Sequence, residues 1–173
     1  MTESVQYPVV KVRHVFGDVF KPVTEQTDRR TNVKSALPEN EQYISAGFAI
    51  RKEEFQPVFD AMWAAVAADP KGAPLLTSMN AQDIVNTKFK WKLIDGDAPD
   101  QDGNDRPWAH GCWIIRTTYS YGRFGRPLTV IDGSYRPLDE TSGAKRGDYY
   151  QLDASVAFNG NGDDTAGVYQ NLN

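Results

Sequence analysis

Trp113-Ile114-Ile115-Arg116-Thr117-Thr118-Tyr119-Ser120-Tyr121 alternates its side chains with a period of two. Trp113, Ile115, Thr117, Tyr119 and Tyr121 share one face, and Ile114, Arg116, Thr118 and Ser120 share the other. β-Branched and aromatic residues fill almost every position, so the stretch predicts a strand. Gly122-Arg123-Phe124-Gly125-Arg126-Pro127 predicts the turn after it, and Leu128 to Asp132 a returning strand.

Working outward, Val9 to Phe20 reads as a strand with Val10, Val12, His14 and Phe16 on one face and Lys11 and Arg13 on the other. Tyr43 to Lys52 reads as a second, with Ile44, Ala46, Phe48 and Ile50 in register. Residues 21–42, with Pro22 and Pro38, form a long connection. A helix is predicted over 53–68, because Phe55, Phe59, Met62 and Val66 make one apolar stripe with Trp63 beside it. Pro70 and Gly72 end it, and Ser78 to Asn86 predicts a short second helix. Arg136 to Gly147 is a polar connection. Tyr149 to Phe158 is a last long strand with Leu152, Ala154, Val156 and Phe158 on one face. Asn159-Gly160-Asn161-Gly162 signals a hairpin into Gly167-Val168-Tyr169. The expected fold is mainly β, a small barrel of five or six strands with one principal α-helix packed on it, as a single domain over 1–173.

At 173 residues the chain can bury a real core without staples. No run approaches the roughly 20 apolar residues of a membrane helix. Met1-Thr2-Glu3-Ser4 has no basic or apolar segment of a secretory signal. One cysteine excludes an internal disulfide framework and fits a reducing compartment. The net charge of −4 excludes a protein that coats nucleic acid by bulk charge alone. Residues 1–92 nevertheless hold 12 Lys+Arg against 11 Asp+Glu, whereas 93–173 hold 7 against 12. A basic groove with acidic flanks is compatible with that division, since contact follows local potential.

Two stretches interleave rings with cations. In extended Lys88-Phe89-Lys90-Trp91-Lys92 the lysines share one face, and Phe89, Trp91 and Leu93 the other. The other is Trp113 to Arg126, where Tyr119, Tyr121 and Phe124 lie close to Arg116, Arg123 and Arg126. Rings that stack and cations that hold phosphates suit single-stranded nucleic acid. Lys88, Lys90, Lys92, Arg116 and Arg123 are candidate phosphate ligands, and Lys11 and Arg13 extend the groove. Tyr119, Tyr121, Phe124 and Trp91 are candidate stacking rings. A lysine-bearing edge strand with core aromatics is the structural alternative for 88–92.

Other constellations are weaker. The aspartates at 95, 97, 100, 102 and 105 fail the spacing of a calcium loop, although Asp95 and Asp97 keep a metal-dependent nuclease open. His110, Cys112 and His14 are too few for zinc, and Cys112 has no visible base partner. No catalytic residue, metal or cofactor is expected. A carbohydrate-binding β-domain stacking sugars on Tyr119, Tyr121 and Trp108 is a further alternative, but it leaves the cations idle.

The chain resembles the OB-fold single-stranded-DNA-binding proteins of tailed bacteriophages. The resemblance rests on Val15-Phe16 with Phe20-Lys21-Pro22, on Phe48-Ala49-Ile50-Arg51-Lys52 before a helix, and on Leu93-Ile94-Asp95-Gly96-Asp97. It continues through Gly111-Cys112-Trp113-Ile114-Ile115-Arg116, Pro127-Leu128-Thr129-Val130-Ile131-Asp132, Gly147-Asp148-Tyr149, and Phe158-Asn159-Gly160 to Gly167-Val168-Tyr169. It implies a five-stranded barrel with an added helix that binds single strands without strong sequence preference. It also implies roles in phage replication, recombination and repair in the cytoplasm of an infected bacterial host. Such proteins usually end in an acidic tail that recruits replication partners. Here Asp163 and Asp164 are the last acids before Asn173, so the expectation is that this tail is absent or removed. Host or phage replication proteins would then be reached through a tail not present here, and a homodimer is compatible with the resemblance.

Overall fold

A computed structural model describes residues 4–28, 30–77, 89–160 and 166–173. The strands are β1 (Val5–Gln6), β2 (Lys11–Gly17), β3 (Glu25–Thr27), β4 (Lys34–Ala36), β5 (Ile44–Arg51), β6 (Leu93–Asp95), β7 (Cys112–Tyr119), β8 (Val130–Ile131), β9 (Pro137–Leu138), β10 (Tyr149–Gln151), β11 (Ala154–Asn159) and β12 (Gly167–Leu172). The helices are α1 (Gln56–Ala67), α2 (Ala73–Thr77) and α3 (Tyr121–Phe124).

The main sheet runs β1-β11-β12-β7-β5-β2-β10, with β6 added to β7. Only Leu152 and Asp153 separate β10, at one end of this path, from β11 near the other. The sheet therefore curls back on itself. Pairing is antiparallel throughout except for β12 with β7, where Asn171 lies opposite Thr118. The mainly β expectation, with one principal helix, holds. β3–β4 and β8–β9 form separate two-stranded hairpins.

Period-two alternation decides what is inside. Ile44, Ala46, Phe48 and Ile50 of β5 are buried, as are Ile115, Thr117 and Tyr119 of β7 and Ala154, Val156 and Phe158 of β11. On α1, Phe55, Phe59, Met62 and Val66 are buried along the predicted stripe, and the helix packs against β11 and β1. Cations outside and apolar residues inside are what a half-buried antiparallel sheet needs.

Several expectations change. The sequence placed Phe16 on one face with Val12 and His14. A register shift between His14 and Phe16 inserts an extra residue, pairs Phe16 with Gly47, and turns its ring to the outer face. The turn after β7 is instead one helical turn, α3, closed by Gly125 at φ 62. The long final strand breaks at Leu152-Asp153 because its halves pair with different neighbours. Leu128 to Asp132 contributes only the two residues of β8. Helix α2 forms just beyond the predicted stop at Gly72, and the helix predicted over 78–86 lies outside the described residues. No helix among the described residues is long and apolar enough to cross a membrane.

Candidate nucleic-acid interface

Register places the outer face residue by residue. Tyr149, Arg13, Ala49, Ile114 and Ile94 form one row across β10, β2, β5, β7 and β6. Phe16, Gly47 and Arg116 form the next. Gly47 is dictated by the ring above it, since a Cβ there would fall inside the Phe16 side chain. Val15, Phe16, Ile94 and Cys112 pack around Ala49, Ala109 and Ile114 as a small apolar floor, separate from the main core.

Three rings on these outer strands each carry a cation. The Lys11 ammonium lies 4.5 Å from the centre of Tyr149, the Arg116 guanidinium 5.2 Å from Phe16, and the Lys92 ammonium 3.7 Å from Tyr169. Tyr149 is 60% and Tyr169 45% exposed. Among the described residues, none of Lys11, Arg13, Lys92 and Arg116 has a carboxylate within ion-pair distance. From β12 to β10 the strip crosses five strands, roughly 19 Å at about 4.8 Å per strand.

The buried Gln170 positions one end of the strip. Its amide donates to the carbonyls of Trp91 and Lys92, both at 3.4 Å, and its oxygen accepts from the Tyr7 hydroxyl at 2.9 Å. This holds Lys92 at φ 55, a conformation that costs a non-glycine residue roughly 1–2 kcal/mol. Partial burial, then the like charge of Arg116, pushes the Lys92 ammonium below its usual pKa. Two cations forced together without a counterion favour an anion between them.

The sequence-derived candidates divide. Lys11, Arg13, Lys92 and Arg116 come to these outer strands. Lys90 is exposed, bridges to Gly167 through its backbone, and its carbonyl accepts from the Val168 N–H at 3.0 Å. Lys88 lies outside the described residues. Trp91 is corrected: it is 3% exposed and packs against Phe59, Trp63 and Phe89. Tyr119 is corrected too, being 3% exposed with its hydroxyl donating to the Arg126 carbonyl at 3.3 Å. Neither ring is exposed at the surface. Tyr121, Arg123 and Phe124 sit in α3, beyond the Tyr119 end of β7, where Tyr121 lines a cleft with Glu39 and Asn40. They do not join the three rings of the strip.

Phe16, Tyr149 and Tyr169 were not among the stacking candidates. Their signal was present in Val15-Phe16, Gly147-Asp148-Tyr149 and Gly167-Val168-Tyr169, stretches noted only as likenesses of sequence. The sugar platform loses Tyr119, which is buried, while Trp108 precedes β7 and Tyr121 follows it in α3. Asp95 and Asp97 both lie 2.6 Å from the Lys52 ammonium, and Asp97 also accepts from the Gly111 N–H at 2.8 Å. The Lys52 contact, then the Gly111 N–H, holds the Asp97 carboxyl below its usual range. These carboxylates pin the β5 end to the 95–111 loop.

No family model matches the sequence, and no curated protein does. Among solved structures, the chain is similar to the single-stranded DNA-binding protein from bacteriophage Enc34 in complex with ssDNA. The TM-score is 0.57 at 13% identity, over 94% of this chain and 79% of that one. The C-terminal truncation of the same phage protein gives a TM-score of 0.61 at 15% identity, over the same shares of each chain. The curled sheet, its closure through 149–159 and the helix laid against it are thus an OB-type fold, similar to that of the bacteriophage Enc34 protein.

Proposed function

We propose that this protein is a non-enzymatic binder of single-stranded DNA, largely indifferent to sequence, with the whole chain acting as one binding domain. The strand crosses the outer sheet face, its bases against Phe16, Tyr149 and Tyr169 and its phosphates on Lys11, Arg13, Lys92 and Arg116. The observation that carries this reading is the set of three ring–cation pairs whose cations lack carboxylate partners among the described residues. Every base has a stackable face, so such a surface binds without reading sequence. Likeness of fold to a phage protein solved with ssDNA supports it. Binding only the melted form draws a duplex toward separated strands by mass action. That property suits replication, recombination and repair of phage DNA in the host cytoplasm, with replication proteins as partners.

A labelled single strand incubated with magnesium is expected to give a stable shifted complex and remain full length. Degradation would instead favour the nuclease reading, and absence of any complex would sink the proposal. Four neutralised phosphates predict that log affinity falls with log salt at a slope of about −3, from roughly −0.7 per phosphate. Anisotropy titrations at several salt concentrations measure it. A flat profile would remove the four cations from the interface.

A further inference from the structure

The connection from Asp139 to Asp148 is tied down at both ends. The Asp139 carboxylate accepts from the Thr141 N–H at 2.8 Å and its hydroxyl at 2.6 Å, and Asp148 accepts from the Lys145 N–H at 2.8 Å. The segment is then laced to β2. The Gly147 N–H donates to the His14 carbonyl at 2.8 Å, the His14 N–H to the Asp148 carbonyl at 2.9 Å, and Arg146 Nε to the Gly17 carbonyl at 3.3 Å. Across from it, the Asp18 carboxylate accepts from the N–H groups of Phe20 and Lys21 and fixes the turn that carries Lys21. Between the two lies a cleft of about 230 Å³, its lining including His14, Gly17, Lys21, Glu140, Lys145 and Arg146.

Two features of this cleft are unmet. Among the described residues Lys145 and Arg146 have no carboxylate partner, and Lys21 is held only by Glu140, at 3.2 Å on the surface. His14, 3% exposed, directs Nε2 to the Phe16 carbonyl at 3.0 Å. A carbonyl only accepts, so Nε2 carries the proton, and among the described residues the buried Nδ1 has no hydrogen-bond partner. Such an atom calls for a water or a ligand hydroxyl.

We propose that this cleft is a phosphate-binding site. It takes one phosphate of the bound strand where that strand leaves the face beside Phe16, and Glu140 occupies Lys21 until the phosphate displaces it. Lys21, Lys145 and the outer nitrogens of Arg146 supply the charge. A water carried in with the anion gives His14 Nδ1 its donor. The inference rests on the single-strand reading above. A backbone phosphodiester and a 5′-terminal phosphate share this chemistry.

The test compares 5′-hydroxyl and 5′-phosphorylated oligothymidine of one length by anisotropy across a salt series. Lys145→Gln is expected to weaken binding several-fold at low salt and to make the salt slope shallower by about 0.7, the share of one phosphate. Glu140→Gln is expected to tighten it. Losses equal for both oligonucleotides mark a backbone phosphate, and losses confined to the phosphorylated one mark a terminal phosphate. If both variants match the unmodified protein in affinity and slope while Phe16→Ala binds weakly, the cleft is no phosphate site and the single-strand reading stands. If Phe16→Ala also binds normally, both fall together.

Discussion

Phe16→Ala is expected to weaken single-stranded DNA binding by about ten- to a hundred-fold while leaving the barrel folded. A stacked ring contributes roughly 1–3 kcal/mol per base, and about 1.4 kcal/mol is tenfold in affinity. The substitution removes both the ring and the surface against which Arg116 is oriented. Its structural cost is smaller, because Phe16 lies on the small apolar floor of Ala49, Ala109 and Ile114 rather than in the main core. Gly47→Ala tests the same ring from below. The new Cβ meets only the far end of the Phe16 side chain, so the ring is pushed aside while the β2–β5 backbone pairing stays. Both variants should therefore lose affinity together, with melting temperatures near that of the parent protein. If both bound oligothymidine as tightly as the parent, Phe16 would be a structural cover and the strip would lose its centre.

The inner half of this protein was legible in its sequence. Alternation in β5, β7 and β11 gave the residues that share each face, and the stripe on α1 gave the packing side, because burial imposes one period on many residues at once. The outer half was harder to read. A single extra residue between His14 and Phe16 reverses the direction of every side chain after it, and nothing in Val15-Phe16-Gly17 announces that insertion. Phe16 therefore read as sharing a face with Val12 and His14. Tyr149 and Tyr169 were missed for a different reason. They are far apart in sequence from the cations that mark them, and only the pairing of β10 with β2 and the descent of Lys92 onto β12 unite them. Conversely, the ring density of 113–126 suggested a platform. Tyr119 follows the inward phase of β7, however, so its neighbourhood in sequence said nothing about access.

The opposite behaviour is expected of Trp91, which its place in the Lys88-Phe89-Lys90-Trp91-Lys92 run made a stacking candidate. Its ring is 5.2 Å from Phe59, 4.6 Å from Phe89 and stacked on Trp63 at 6.2 Å. Trp91→Ala removes the middle of this cluster and should cost about 3–5 kcal/mol. At roughly 2–4 °C per kcal/mol for a chain of this size, the melting temperature should fall by about 6–20 °C. Affinity would fall only in proportion to unfolding. Trp91→Phe separates the two roles. It keeps an aromatic filling while removing an indole N–H that is buried without a partner among the described residues, and the absence of that unsatisfied donor offsets part of the lost packing. This variant should melt within a few degrees of the parent and bind single strands with unchanged affinity and salt slope. A well-folded Trp91→Phe protein that bound tenfold more weakly would place Trp91 against the bases, contrary to its burial among Phe59, Trp63 and Phe89.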